Sequence, residues 1–385
     1  MVTRYDISNS ILNWIINQVR FSCDDSLALV ELESWREGGK KPTFNQIDHI
    51  SRATHIPLGY FFLTKPPVEE TPLLQFRTIN SNSTDLPSRN LIDTIDEMEQ
   101  IIDWTKNYLQ SEGIDRNEIV GSMKDEKNPA VIANYIRKVL GLSESWFEGV
   151  SDSGNAFKRI RERISEHGIL VMMNGVVRNN TRRPLSVEEF RAFALTDSFA
   201  PLIFINGADS NNGRLFSLIH EFTHICLGVD NLYNVGFSDI ENQEDIEVIC
   251  NAVASEILVP QDVFRKKWKE LSIVCRTSDE TIKKLSAYFN CSSVVIARKA
   301  LDASLISKSD YETVVDESIA GFRAMVATRA RGGEYYKTMR SRLDRRFFNM
   351  VLDSVSNGKT QYSEAFRLTN TNRNTFLKLA ERMYY

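Results

Sequence analysis

The stretch "LFSLIHEFTHICLG", residues 215–228, places the tightest constraint on what this chain can fold into. It reads as a helix that is apolar on almost every side, with Leu215, Phe216, Leu218, Ile219, Phe222, Ile225, Cys226 and Leu227 surrounding His220, Glu221 and His224. A helix apolar all round is buried. Burying polar side chains without partners is costly, so the fold has to supply these three with one. His220 and His224 stand at i and i+4, and on a helix both imidazoles project from one face. That spacing suits one zinc ion at Zn–N distances of roughly 2.0–2.1 Å. Glu221 lies beside them, where its carboxylate can reach a water at such a site without ligating the ion. This is the placement of a general base.

A catalytic zinc takes three protein ligands. No third histidine lies nearby in the chain, so the remaining ligand has to be a carboxylate, and Asp230, Asp239, Glu241, Glu244, Asp245, Glu247 and Glu256 compete for the role. The following helix, "DIEVICNAVASEILVP", stops at Pro260 and turns Ile246, Cys250, Val253, Ala254 and Ile257 toward the core. Glu247 falls on the flank of that face. Glu244, Asp245 and Glu256 are placed less well, and the first two suit an acidic helix start. Asn251, one turn beyond Glu247, is placed to hydrogen-bond a ligand. Tyr233 follows the first helix and can donate to an oxyanion as readily as it can pack.

Around these helices the pattern is mixed. Helical periodicity marks residues 7–20, 25–36 and 44–54, with Thr43 as an N-cap. A Pro-marked stretch from 63 to 88 reads as an extended linker, and helices follow at 90–112 and 128–141. "NAFKRIRERISEHG" is a helix closed by Gly168, while "ILVMMNGVV", "EFRAFALTD" and "APLIFING" are strand candidates, the last a candidate edge to which a substrate peptide could add. The remainder is helical, and "TIKKLSAYFNCSSVVIARKALDASLIS" and "TQYSEAFRLTNTNRNTFLKLAERM" each outline two helices about a polar turn. The expected class is α+β, a mostly helical multidomain chain with a small mixed sheet beside the His-Glu helix.

With 385 residues, the chain exceeds one ordinary core. Hydrophobic residues at 42% and charged ones at 25%, without an apolar run of membrane-spanning length, fit a soluble protein with no membrane partner. No cleavage site follows the amphipathic first residues, so a cytoplasmic location is expected. The five cysteines lack CxxC spacing, which argues against a disulfide framework or a thiolate zinc site.

Local charge bears on nucleic acid. The first 60 residues carry six basic against seven acidic side chains, a poor basis for phosphate contacts, and read as a dimerisation or docking unit. Residues 321–350 carry eight basic against two acidic ones. Arg340, Arg342, Arg345 and Arg346, interleaved with Tyr335, Tyr336, Phe347 and Phe348, allow a nucleic-acid surface, a solvated helix face packed through its aromatics, or a face that docks an acidic partner.

The stretch from about 155 to 260 resembles the ImmA/IrrE family of metallopeptidases. The phrases "HGILVMMNGVV", "RRPLSVEEFRAFALTDSFAPLIFINGAD", "FSLIHEFTHICLG" and "EVICNAVASEILVP" follow that family's order. Cys250 stands where alanine is usual and Ile249 where a second acid is frequent. The resemblance implies a zincin-like domain with one zinc on His220, His224 and Glu247, and Glu221 as catalytic acid/base. "SWREGGKKPTFNQIDHISRATHIPLGYFFLTKPP" and "LLQFRT" are similar to the degenerate helix-turn-helix module of the phage-repressor type and the linker of longer members. "GGEYYKTMRSRLDRRF" and "YSEAFRL" are similar to their C-terminal part.

The expected units are a helix-turn-helix module at 1–62, a linker and helical connector at 63–150, the metallopeptidase domain at 151–265 and a helical C-terminal region at 266–385. The expected function is zinc-dependent cleavage of a regulatory protein, a cognate transcriptional repressor being what the resemblance implies. The competing reading is a regulatory binding protein, either the antitoxin partner of a toxin or a DNA-binding regulator, with a structural or weakly active metal site.

Overall fold

The protein is described by a computed structural model over residues 3–19, 26–67, 87–229, 240–328 and 335–383. Helices dominate, and local signals set many of their ends. The first module contains α1 (Asn9–Val19), α2 (Ser26–Arg36) and α3 (Phe44–Thr54). Thr43 caps α3 in a reciprocal box: its hydroxyl accepts from Gln46 N at 3.3 Å, and Gln46 Oε1 accepts from Thr43 N at 3.0 Å. Ile11, Leu12, Ile15, Leu32, Ile47, Ile50 and Phe61 form a core of its own.

After the stretch that includes the expected linker come α4 (Arg89–Ser111), α5 (Pro129–Val139) and α6 (Ser153–Glu166). Strands β1 (Leu170–Asn174), β2 (Ala192–Leu195) and β3 (Leu202–Asn206) then form one sheet, and α7 (Asn211–Leu227) and α8 (Ile240–Leu258) complete the region of the His-Glu helix. The C-terminal part adds α9 (Gln261–Ser272), α10 (Ser278–Phe289), α11 (Ser293–Asp302), α12 (Lys308–Thr328), α13 (Tyr335–Arg342), α14 (Arg345–Ser356), α15 (Tyr362–Leu368) and α16 (Arg373–Met383). The architecture is α+β.

The sheet order is β1-β3-β2, with β1 parallel and β2 antiparallel to β3. The strand expected at an edge, "APLIFIN", is therefore the interior one. Both of its ladders are occupied, and it offers no edge for an added peptide. Its side chains alternate between two cores. Ile203 and Ile205, with Val171, Ala192 and Ala194, pack with α5–α8, and Leu202 and Phe204, with Leu170, Met172, Phe193 and Leu195, pack with α4 and α14–α16. A sheet buried on both faces explains why its strands read as unbroken apolar runs rather than as an alternation.

A close backbone contact holds the end of α7. Gly121 N donates to Ile225 O at 3.0 Å and Met123 N to Cys226 O at 2.8 Å, so the loop before α5 satisfies the last carbonyls of the helix. Gly228 caps α7 at φ +58°, and a Cβ there would stand 2.5 Å from the Cα of Gly121. Gly228→Ala combines a left-handed backbone with an overlap that no rotamer relieves. It is expected to cost about 3 kcal/mol, read as a lowered midpoint in chemical denaturation.

Candidate metal centre

Helix α7 is built to be buried. Ser210 caps its start by accepting from Gly213 N at 3.0 Å, and every residue from Ser217 to Leu227 is inside the protein. His220, Glu221 and His224 are 1–2% exposed. The His220 and His224 rings lie 4.9 Å apart, and Phe216 stacks on His220 at 6.4 Å.

Glu247 enters from α8, which packs along α7 through Cys250, Val253, Ala254 and Ile257, all of them 0% exposed. Its Oε2 stands 3.2 Å from His220 Nε2 and its Oε1 3.1 Å from His224 Nε2, and the two Nε2 atoms are 3.1 Å apart. The ligand-type atoms of all three residues lie within 4.8 Å of one another. Burial pushes the Glu247 carboxyl up, but hydrogen bonds and charge from both histidines outweigh it and hold the group well below the usual carboxylate range.

These residues fit a zinc ion by two criteria. Imidazole nitrogen and carboxylate oxygen are zinc donors, and bonds of about 2.0–2.1 Å in a tetrahedron put neighbouring donors roughly 3.3 Å apart, close to the separations seen here. Two ring nitrogens and a carboxylate facing one point also gather lone pairs that a cation there would satisfy. The Glu247 side chain is 40% exposed, whereas those of His220 and His224 are 1% and 3% exposed.

The other residues marked in the sequence fall in different places. Glu221 is buried beside the cluster without joining it. Asn251 lies one turn beyond Glu247, and its buried Oδ1 has no hydrogen-bond partner among the described residues. The same is true of His224 Nδ1, whose ring meets Glu247 through Nε2. Glu256 is engaged elsewhere: it meets Lys299 Nζ at 2.7 Å and Arg137 Nη2 at 3.6 Å and accepts from Gln261 N at 3.1 Å. Tyr233 lies outside the described residues, as do the side chains of Asp230, Asp239, Glu241, Glu244 and Asp245.

The four arginines do not share one surface. Arg340 and Arg345 are exposed, Arg342 turns inward to donate to Asn179 Oδ1, and half-buried Arg346 lies over Gly168. Phe347 and Phe348 are 0% exposed and belong to the core under the sheet rather than to any stacking surface. A contact that sequence reading missed joins this region to the sheet. Arg161 donates to the carbonyls of Val171, Ser341 and Leu343, and Asp344 accepts from Val171 N and Ser165 Oγ. Residues 161 and 344 are too far apart in the chain for any local pattern to pair them.

Among the described residues, no helix is long and apolar enough to cross a membrane. Neither a curated protein nor a solved structure matches the chain. Residues 343–382 match a domain of unknown function, DUF8813. Residues 164–301, which carry His220, Glu221, His224 and Glu247, match the IrrE N-terminal-like domain of peptidase family M78.

Proposed function

We propose that the protein is a zinc-dependent endopeptidase that cleaves a regulatory protein, with a cognate transcriptional repressor as the substrate class. The observation that carries this reading is the convergence of His220, His224 and Glu247 beside a buried Glu221. His220, His224 and Glu247 would hold one zinc ion, which when bound supplies Lewis acidity toward a carbonyl and toward water. Glu221 takes the proton of the attacking water and delivers it to the leaving amine, so that one carboxylate serves both halves of the hydrolysis. Tyr233 is the proposed donor to the oxyanion, and Asn251 supports the ligands from one turn away on α8.

Metal analysis tests the premise. The purified chain is expected to hold one zinc, and free zinc at about 100 times its Kd should stabilise the metal-depleted protein by about 2.7 kcal/mol. His224→Ala should abolish both effects. A folded chain with no tightly held metal and no stabilisation by zinc would sink the reading. The substrate is sought by co-expression with the products of neighbouring genes, looking for a fragment that disappears with Glu221→Gln.

A further inference from the structure

The C-terminal helices carry a surface that hydrolysis does not use. α15 and α16 are joined by four residues, Thr369–Asn372, with Asn370 in the left-handed region at φ +49°. Thr371 N donates to Phe366 O at 2.9 Å, and Asn372 Oδ1 accepts from Thr375 N at 2.9 Å to start α16. Ala365, Leu368, Phe376 and Leu379 close the angle between the two helices, with Phe376 packed on Phe348 of α14 at 5.3 Å. Three helices with a short turn before the last are the frame of a helix-turn-helix.

Charge separates this pair from the similar outline at α10 and α11. There the cations are matched by acids: Lys283 with Asp279, Lys284 with Glu280, Arg298 with Asp302. On α16, Arg373, Asn374 and Lys378 are exposed, and neither Arg373 nor Lys378 makes an ion pair among the described residues. Lys378 and Arg382 lie over the Tyr336 ring at 5.4 and 4.7 Å, which joins α13 with its exposed Arg340 to the same side. Residues 335–383 hold ten basic and four acidic side chains, whereas the rest of the chain holds 37 and 47.

We propose that α15 and α16 form a DNA-binding helix-turn-helix, with the first turns of α16 entering the major groove. Arg373 and Asn374 stand at the positions from which such helices reach base edges, and arginine and asparagine are the side chains that read guanine and adenine with paired hydrogen bonds. Lys378, Arg382 and Arg340 lie alongside for phosphates. α15 and α16 pack in the core on one face of the sheet and α7 and α8 in the core on the other, so DNA binding does not require peptidase activity.

The test is fluorescence anisotropy of the full chain with a labelled random-sequence 30-base-pair duplex. Binding is expected at 50 mM salt and should weaken about 40-fold by 200 mM, as three phosphate contacts require. Arg373→Glu combined with Lys378→Glu should lower affinity at least about tenfold with the melting temperature unchanged, since both side chains are exposed. Glu221→Gln should bind as the wild type does, which keeps this proposal separable from the peptidase reading. No binding at 50 mM salt, or binding that the double substitution leaves intact, overturns it.

Discussion

Glu221→Gln is expected to lower the rate of substrate cleavage by about 10²–10⁴-fold while zinc content and melting temperature stay at wild-type values. The argument rests on where Glu221 stands. It is 1% exposed on α7 and absent from the three converging ligand residues, so an isosteric amide keeps the packing and leaves the ligands in place. What the amide cannot do is accept a proton from water. His220→Ala is different in kind, since it removes a ligand and leaves the carboxylate of Glu247 in a tight cluster with one partner fewer, so metal, stability and cleavage should fall together. The two variants measured side by side, by steady-state cleavage and by metal analysis, separate a catalytic centre from a structural one. Full cleavage by Glu221→Gln would remove the proposed role of this residue.

The largest expected loss of stability among polar substitutions is at Arg161. Its guanidinium donates to Val171 O at 3.1 and 2.7 Å, Ser341 O at 2.6 Å and Leu343 O at 2.9 Å, and it faces the 1%-exposed Asp344. Burial draws the Arg161 pKa below the ordinary arginine value, and the Asp344 charge opposes that shift. Arg161→Ala leaves three carbonyls without this donor and a buried carboxylate without this cation. It is expected to destabilise the protein by about 3 kcal/mol. Because the lost contacts join α6 and β1 to the chain just before α14, limited proteolysis should release a C-terminal fragment before the metal-binding region is cut. A variant as stable and as protease-resistant as the wild type would show that the core between the sheet and α14 holds this unit without the clasp.

Several elements were legible because their signals are local. The His-Glu helix, the Thr43 cap and the helix that carries Glu247 all lie within a turn or two of the residues that specify them, and the structure forms all three. Helical phase sufficed to bring Glu247 forward, because the apolar face of α8 fixes which flank meets α7. The strands were legible as strands, but not in their order. β3 reads as an apolar run with or without neighbours, and its interior place depends on β1 and β2 pairing to it from opposite sides. The basic run near residue 340 was open in a similar way. Phe347 and Phe348 could equally have faced solvent or core, and the choice was made by the underside of the sheet, where Phe193, Phe204 and Leu202 needed covering.

The sequence by itself determined the chemistry available to this protein: two histidines and a glutamate on a helix too apolar to be exposed, and an acid on the next helix in phase to meet them. Spacing along one helix is fixed by its pitch, so that much needs no knowledge of the fold. Tertiary structure decided what surrounds the chemistry. It turned Glu256 to Lys299 and left Glu247 for the histidines, it put β3 inside the sheet, and it buried two of the aromatics while leaving Arg373, Asn374 and Lys378 outside. Those outcomes depend on contacts between residues tens to hundreds of positions apart, and only the packed chain brings them together.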